Sequence, residues 1–208
     1  RVAQATTLLQ VAGLPVPQIY ETAITDRWIL QEDLGDQHLA DALEEGLAPL
    51  PLYEEALSHL DTFQSIPPHD LETSPTPCLD FTRMCKELTF FAEHAVPESD
   101  PTLTDDLENL AQRCADLDTV TCHRDYHARN LMIIDSRIRI IDHQDAMAGP
   151  APYDRVSLAY DPYVTMDDTF RDELAGTEPG TGPVAVQRLC KALGTYTSKG
   201  EAWPAFIA

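Results

Sequence analysis

Apolar residues recur at helical spacing in the first twelve positions, RVAQATTLLQVA, with Val2, Leu8, Leu9 and Ala12 on one face. Gly13 and the prolines of LPVPQIY stop that helix. IYETA and RWILQE then alternate as two strands joined by a turn near Thr25 and Asp26. Helical periodicity returns over 37–46 and 52–65, and again over 79–94 and 101–117, with the loop SIPPHDLETSPTP between the two pairs. Beyond residue 118 the texture changes. NLMIID and RIRIID are short β-branched runs separated by Ser136, which predicts a hairpin. PAPYDRVSLAY and VAVQRLCKALGTYT read as two more helices, with the Gly/Pro-rich AGTEPGTGP between them as a mobile linker. The pattern predicts a small β-containing start and a mostly helical remainder of class α+β.

The polar residues around that hairpin carry the candidate chemistry. In HRDYHARN, His123, Asp125 and Asn130 fit the H-x-D-x-x-x-x-N spacing of a kinase catalytic loop. An Asp there accepts the proton of an attacking hydroxyl, and an Asn five residues on turns back to offer an oxygen to Mg²⁺. Asp142 ends the second strand of the hairpin, where a second Mg²⁺ ligand belongs. Two hard oxygens plus nucleotide phosphates suit Mg²⁺, which keeps several of its waters. His123 is read as a structural residue whose imidazole bonds nearby backbone. Asp154, just before an apolar helix, is read as a cap or first-turn acid.

Charge and cysteines narrow the setting. Against 14 Lys and Arg stand 35 Asp and Glu, a formal net charge of −21, which repels nucleic acid and anionic membranes and draws cations. No run of apolar residues is long enough to span a bilayer. Five cysteines, an odd number without a CxxC pair, predict free thiols in a reducing cytoplasm and no zinc site.

The wording HRDYHARNLM…IIDHQDAMAGPAPYDRVSL resembles the aminoglycoside phosphotransferase/choline kinase superfamily, which shares the protein-kinase fold. Within it, the chain is most similar to bacterial N-acetylmuramate/N-acetylglucosamine anomeric kinases of cell-wall recycling. LLQVAGLPVPQIYE…RWILQEDLGDQHLADAL is similar to the superfamily's helix-C end, two strands and hinge, so the resemblance covers about residues 1–165. It implies Asp125 as catalytic base and Asn130 and Asp142 as Mg²⁺ ligands. Backbone at Glu32, Asp33 and Leu34 would meet the adenine of ATP. It also implies two domains: residues 1–32 as the end of a nucleotide-binding lobe and 33–208 as a helical catalytic and acceptor-binding lobe. The expected product is an amino sugar phosphorylated at its anomeric hydroxyl.

The departures from the family pattern are definite. The 208 residues hold no Gly-rich phosphate loop and no strand lysine for the phosphates, and Lys86, Lys191 and Lys199 lie in the wrong region to replace it. The start at Arg1 rather than Met predicts that those parts lie upstream in a longer protein. There is no A-P-E sequence and no long segment between Asp142 and the next helix, which points to a small acceptor rather than a peptide. Two other readings stay open: a kinase for aminoglycosides or other amino alcohols, towards which the net charge leans, and a pseudokinase-like domain that binds a ligand without turnover.

Overall fold

The computed structural model describes residues 2–23, 25–71, 78–96 and 101–200. Among these, eight α-helices surround three two-stranded antiparallel pairs. Helix α1 (Val2–Val11) buries Leu9 completely and ends at Gly13, whose φ of 86° suits a residue without a Cβ. Strands β1 (Ile19–Ala23) and β2 (Trp28–Gln31) form the expected first hairpin, with both strands largely exposed. Helices α2 (Leu39–Glu44) and α3 (Pro49–Gln64) follow, α3 starting on a proline at its first position, where no N–H is lost. Helix α4 (Phe81–Ala95) is capped by Asp80, whose carboxylate accepts the Arg83 N–H, and α5 (Pro101–Ala115) packs beside it.

The second hairpin, β4 (Leu131–Ile134) and β5 (Arg137–Ile140), turns through Asp135 and Ser136, both at positive φ. β3 (Thr119–Cys122) and β6 (Met147–Pro150), which the sequence pattern does not mark, pair across the loop and hairpin between them. Helix α6 (Tyr153–Ala159) and helix α8 (Thr181–Lys199) are the two expected last helices, with an unexpected short helix α7 (Asp168–Ala175) between them. Of the segment read as a mobile linker, Ala175 ends α7 and Thr181–Pro183 open α8, leaving 176–180 as the connecting loop. Arg155 ties it down, donating to the Leu174 and Glu173 carbonyls and pairing with Glu178.

Two apolar clusters fill the interior. One joins α1, α2, α3 and the β4–β5 hairpin, and includes Leu9, Phe63, Tyr126, Leu131 and Ile140. The other joins α4, α5, β3, α6 and α8 through Met84, Leu88, Cys114, Cys122, Tyr153 and Val184. The loop 123–130 leaves the second cluster at Cys122 and buries Tyr126 and Ala128 in the first.

Candidate active site

The site is built on the exit from β3. The first two backbone N–H groups of the loop, at His123 and Arg124, donate to the two carboxylate oxygens of Asp154 at 2.5 and 2.8 Å. Asp154 is fully buried in the first turn of α6, so its expected position is right, but its carboxylate reaches across to this loop. Burial raises its pKa, against the pull of His123 and the two N–H groups. Arg124 sits at φ 81°, a conformation costly for a residue with a Cβ, and the grip of Asp154 holds it there. His123 bonds the Ile141 carbonyl through Nε2 at 2.8 Å, which is the structural role expected of it. Further along, Tyr126 donates to the Ala56 carbonyl at 2.8 Å. The Ala128 N–H donates to Asp161, which is also buried and also accepts from Tyr163.

Asn130 ties the candidate residues together. Its side-chain amide donates to the Asp125 carbonyl at 2.8 Å, and its own carbonyl accepts from Ile141, the neighbour of Asp142, at 3.0 Å. With Nδ2 committed, the Asn130 side-chain oxygen is left as an acceptor. Asp142 stands exposed at φ 59°, turned out of the β5 strand, with Gln144 donating to its Oδ1. His127 is near enough to both acids to feel their charge. Burial lowers its pKa to about 4 even though Asp125 and Asp142 both pull it up, so it is neutral at neutral pH. Among the described residues no three His, Cys, Asp or Glu side chains converge as a ready-made metal cage. One amide oxygen and one exposed carboxylate fit a cation that brings its own waters and phosphates.

Asp125 faces three cations. Lys191 Nζ lies 3.6 Å and Arg188 3.9 Å from its Oδ1. Burial pushes its pKa up, but Lys191, Arg188, Arg124 and His127 outweigh that and hold it below the usual carboxylate range. A cleft of about 180 Å³ opens beside it, walled by α8 and the 160–163 segment.

The segment 32–34 is tied to the β4–β5 hairpin. Glu32 accepts a two-pronged bond from Arg139 of β5, at 3.1 and 2.6 Å, and a third from the Gln18 N–H at 3.0 Å. Those bonds lower its pKa. Its side chain is therefore a strut between the two hairpins. The Glu32 N–H is already donated to the Gln18 carbonyl, and Leu34 is buried. The five cysteines are all unpaired. Burial raises the pKa of each, so none is primed as a nucleophile.

The sequence pattern does not reveal the part that Asp154, Asp161, Arg188 and Lys191 play at this loop. A signal for Asp154 exists: it is an acid inside YDRVSLA, where almost every neighbour is apolar or small. A signal for the cations exists too, because the 19 residues of α8 contain no Asp or Glu in a chain with 35 of them.

Residues 1–185 match the profile described as the phosphotransferase enzyme family. The chain belongs to that family. Among similar phosphotransferases, the N-acetylmuramate/N-acetylglucosamine kinase of Pseudomonas aeruginosa is 34% identical over 173 residues, an alignment taking in 76% of this chain and 48% of that protein. The same-named kinase of Neisseria meningitidis is 30% identical over 173 residues, covering 74% and 49%. The chain thus spans about half the length of the curated relatives it matches. Solved phosphotransferases share the fold. A choline/ethanolamine kinase family protein from Mesorhizobium loti superposes with a TM-score of 0.62 at 14% identity, over 94% of this chain and 68% of that one. A thermostable aminoglycoside phosphotransferase, in complex with AMP-PNP and hygromycin B, gives 0.62 at 15%, over 95% and 76%. The protein-kinase-like α+β architecture expected for this chain is therefore the observed one.

Proposed function

We propose that this chain carries the catalytic side of an ATP-dependent kinase that moves the γ-phosphoryl group to a hydroxyl of an N-acetylated amino sugar, at its anomeric position. The observation that carries this reading is the backbone network in which Asn130 is bonded both to Asp125 and to the residue before Asp142. In it, Asp125 accepts the hydrogen bond of the acceptor hydroxyl and takes its proton as the new P–O bond forms. Lys191 and Arg188 keep that carboxylate ionised and aimed. The Asn130 side-chain oxygen and the Asp142 carboxylate would hold Mg²⁺, whose charge screens the triphosphate. Residues 1–32 are the end of a nucleotide lobe in this reading, and 33–208 the catalytic and acceptor lobe. Because the Glu32 N–H is taken by Gln18, adenine contacts fall to the remaining backbone groups of Glu32, Asp33 and Leu34. The amino-sugar acceptor is supported by the names of the relatives above.

Asp125→Asn keeps shape and hydrogen-bonding reach but removes the proton acceptor. In the full natural protein, turnover measured as ADP release should fall by about 10²- to 10⁴-fold while ATP binding persists. Wild-type turnover in that variant would sink the assignment. A wild-type protein that binds ATP and ligand without releasing ADP would favour the non-catalytic binding domain instead.

A further inference from the structure

The cleft beside Asp125 has the opposite charge from the rest of the molecule. Its α8 wall presents two ridges at helical spacing, Arg188–Ala192–Tyr196 and Lys191–Thr195–Lys199. Among the described residues Asp125 is the one acid lining it, and His127 beside it is neutral. A helix free of acids, in a chain of net charge −21, turns three cations onto this one cavity.

The three cations are not equivalent. Arg188 is committed: it donates to the Tyr153 hydroxyl at 3.2 Å, lies over that ring at 5.0 Å and faces Asp125. Lys191 also reaches Asp125, at 3.6 Å. Lys199 stands two helical turns further along the same ridge, about 12 Å by the rise of an α-helix. An acceptor with its hydroxyl at Asp125 that extends along α8 would meet Lys199, which lines the same cleft.

On the phosphotransfer reading above, we propose that Lys199, with Lys191 behind it, binds an anionic substituent of the acceptor, so that the site selects a carboxylate-bearing sugar over its neutral counterpart and disfavours polycationic aminoglycosides. The lean towards cationic acceptors that the net charge suggests is reversed locally. The competing role for these cations is to neutralise the transferring phosphoryl group, which would not distinguish one acceptor from another.

The test uses the full natural protein and two acceptors that differ by one ether-linked carboxylate, N-acetylmuramate and N-acetylglucosamine. For Lys199→Met and Lys199→Glu, the ratio of kcat/KM for the acid to that for the neutral sugar should fall by roughly tenfold or more, the worth of a charge-assisted hydrogen bond. The loss should sit in KM for the acid, and be larger for Glu than for Met. Lys191→Met should lower the ratio in the same direction while also lowering kcat, since it touches the base. Lys199 is exposed at the end of α8, so its variants test binding without disturbing the core. A ratio unchanged in all three variants, with both sugars still phosphorylated by the wild type, overturns the inference and leaves the kinase reading standing. A wild type that phosphorylates neither sugar overturns both.

Discussion

Asp161 shows how a single buried acid sets a pH dependence. Burial raises its pKa from 3.8 to about 6, against the N–H groups of Ala128 and Tyr163 and the charges of Arg188 and Arg129. A carboxyl raised in the folded state binds its proton more tightly there than in the unfolded chain. Its contribution to stability is therefore full below about pH 4 and is lost as pH rises through about 6. A displacement of about two units corresponds to about 3 kcal/mol. Asp161→Asn keeps an acceptor for the loop N–H but does not titrate. Urea denaturation of both proteins should show the wild type losing about 3 kcal/mol relative to the variant between pH 4 and pH 7. Parallel stability curves would mean that Asp161 is not held as described. The contrast with Asp125 is instructive. Asp161 is buried and Asp125 is half-exposed; Asp125 faces Lys191 and Arg188 and is pulled down, while Asp161 meets chiefly backbone dipoles and is not. Asp125 and Asn130 were legible because their relation is local, five positions apart on one loop. Asp154 was legible only as a member of its own helix. Which loop a carboxylate reaches 30 residues away depends on how α6 packs, and a periodicity does not encode that.

At the scale of elements, the long helices and both hairpins follow from the sequence pattern, because each has several turns of periodicity or a turn between β-branched runs. β3, β6 and α7 do not. The two strands are four residues each and pair across the whole 123–130 loop and the hairpin, with a lone bridge from Cys78 to Ala148 beside them. MAGP carries no strand propensity of its own. The α4–α8 contact was equally hidden, and it fixes the α8 wall of the cleft beside Asp125. Gly194 lets the two backbones approach: a Cβ there would lie 2.8 Å from the Phe91 Cα and 3.1 Å from its N. Gly194→Ala gains about 1 kcal/mol of helix propensity. It meets backbone that cannot rotate away, and overpacking of that kind costs about 1–3 kcal/mol. The clash should win, giving net destabilisation of up to about 2 kcal/mol in thermal or urea unfolding. It should also raise the acceptor KM as α8 is pushed off α4. Gly182, in the same helix with open space around it, is the control: Gly182→Ala should be neutral or stabilise by up to about 1 kcal/mol. Equal effects from the two substitutions would remove the close approach from the account.

For the whole molecule, the architecture followed from the order of elements, but the distribution of charge did not. A net of −21 describes the average surface, and the cations of α8 are concentrated where the average misleads. The average still governs stability. Even if every Lys and Arg were paired one to one, 35 acids less 14 bases leaves 21 carboxylates without a partner. A folded chain of this length has a radius of gyration of about 17 Å. At 0.01 M salt the screening length is about 30 Å, so these charges repel one another across the entire fold, whereas at 1 M it is about 3 Å and only contacts remain. Salt also weakens ion pairs such as Arg155–Glu178 and Arg137–Glu55. Exposed pairs of that kind are worth about 0–1 kcal/mol each and are few. Relief of repulsion should therefore win. Thermal unfolding followed from 0.01 to 1 M NaCl should show Tm rising by a few degrees, about 1–2 kcal/mol at roughly 2–4 °C per kcal/mol for a chain of this size. A Tm that falls with salt would mean the ion pairs, rather than the unpartnered acids, dominate the electrostatics of the fold.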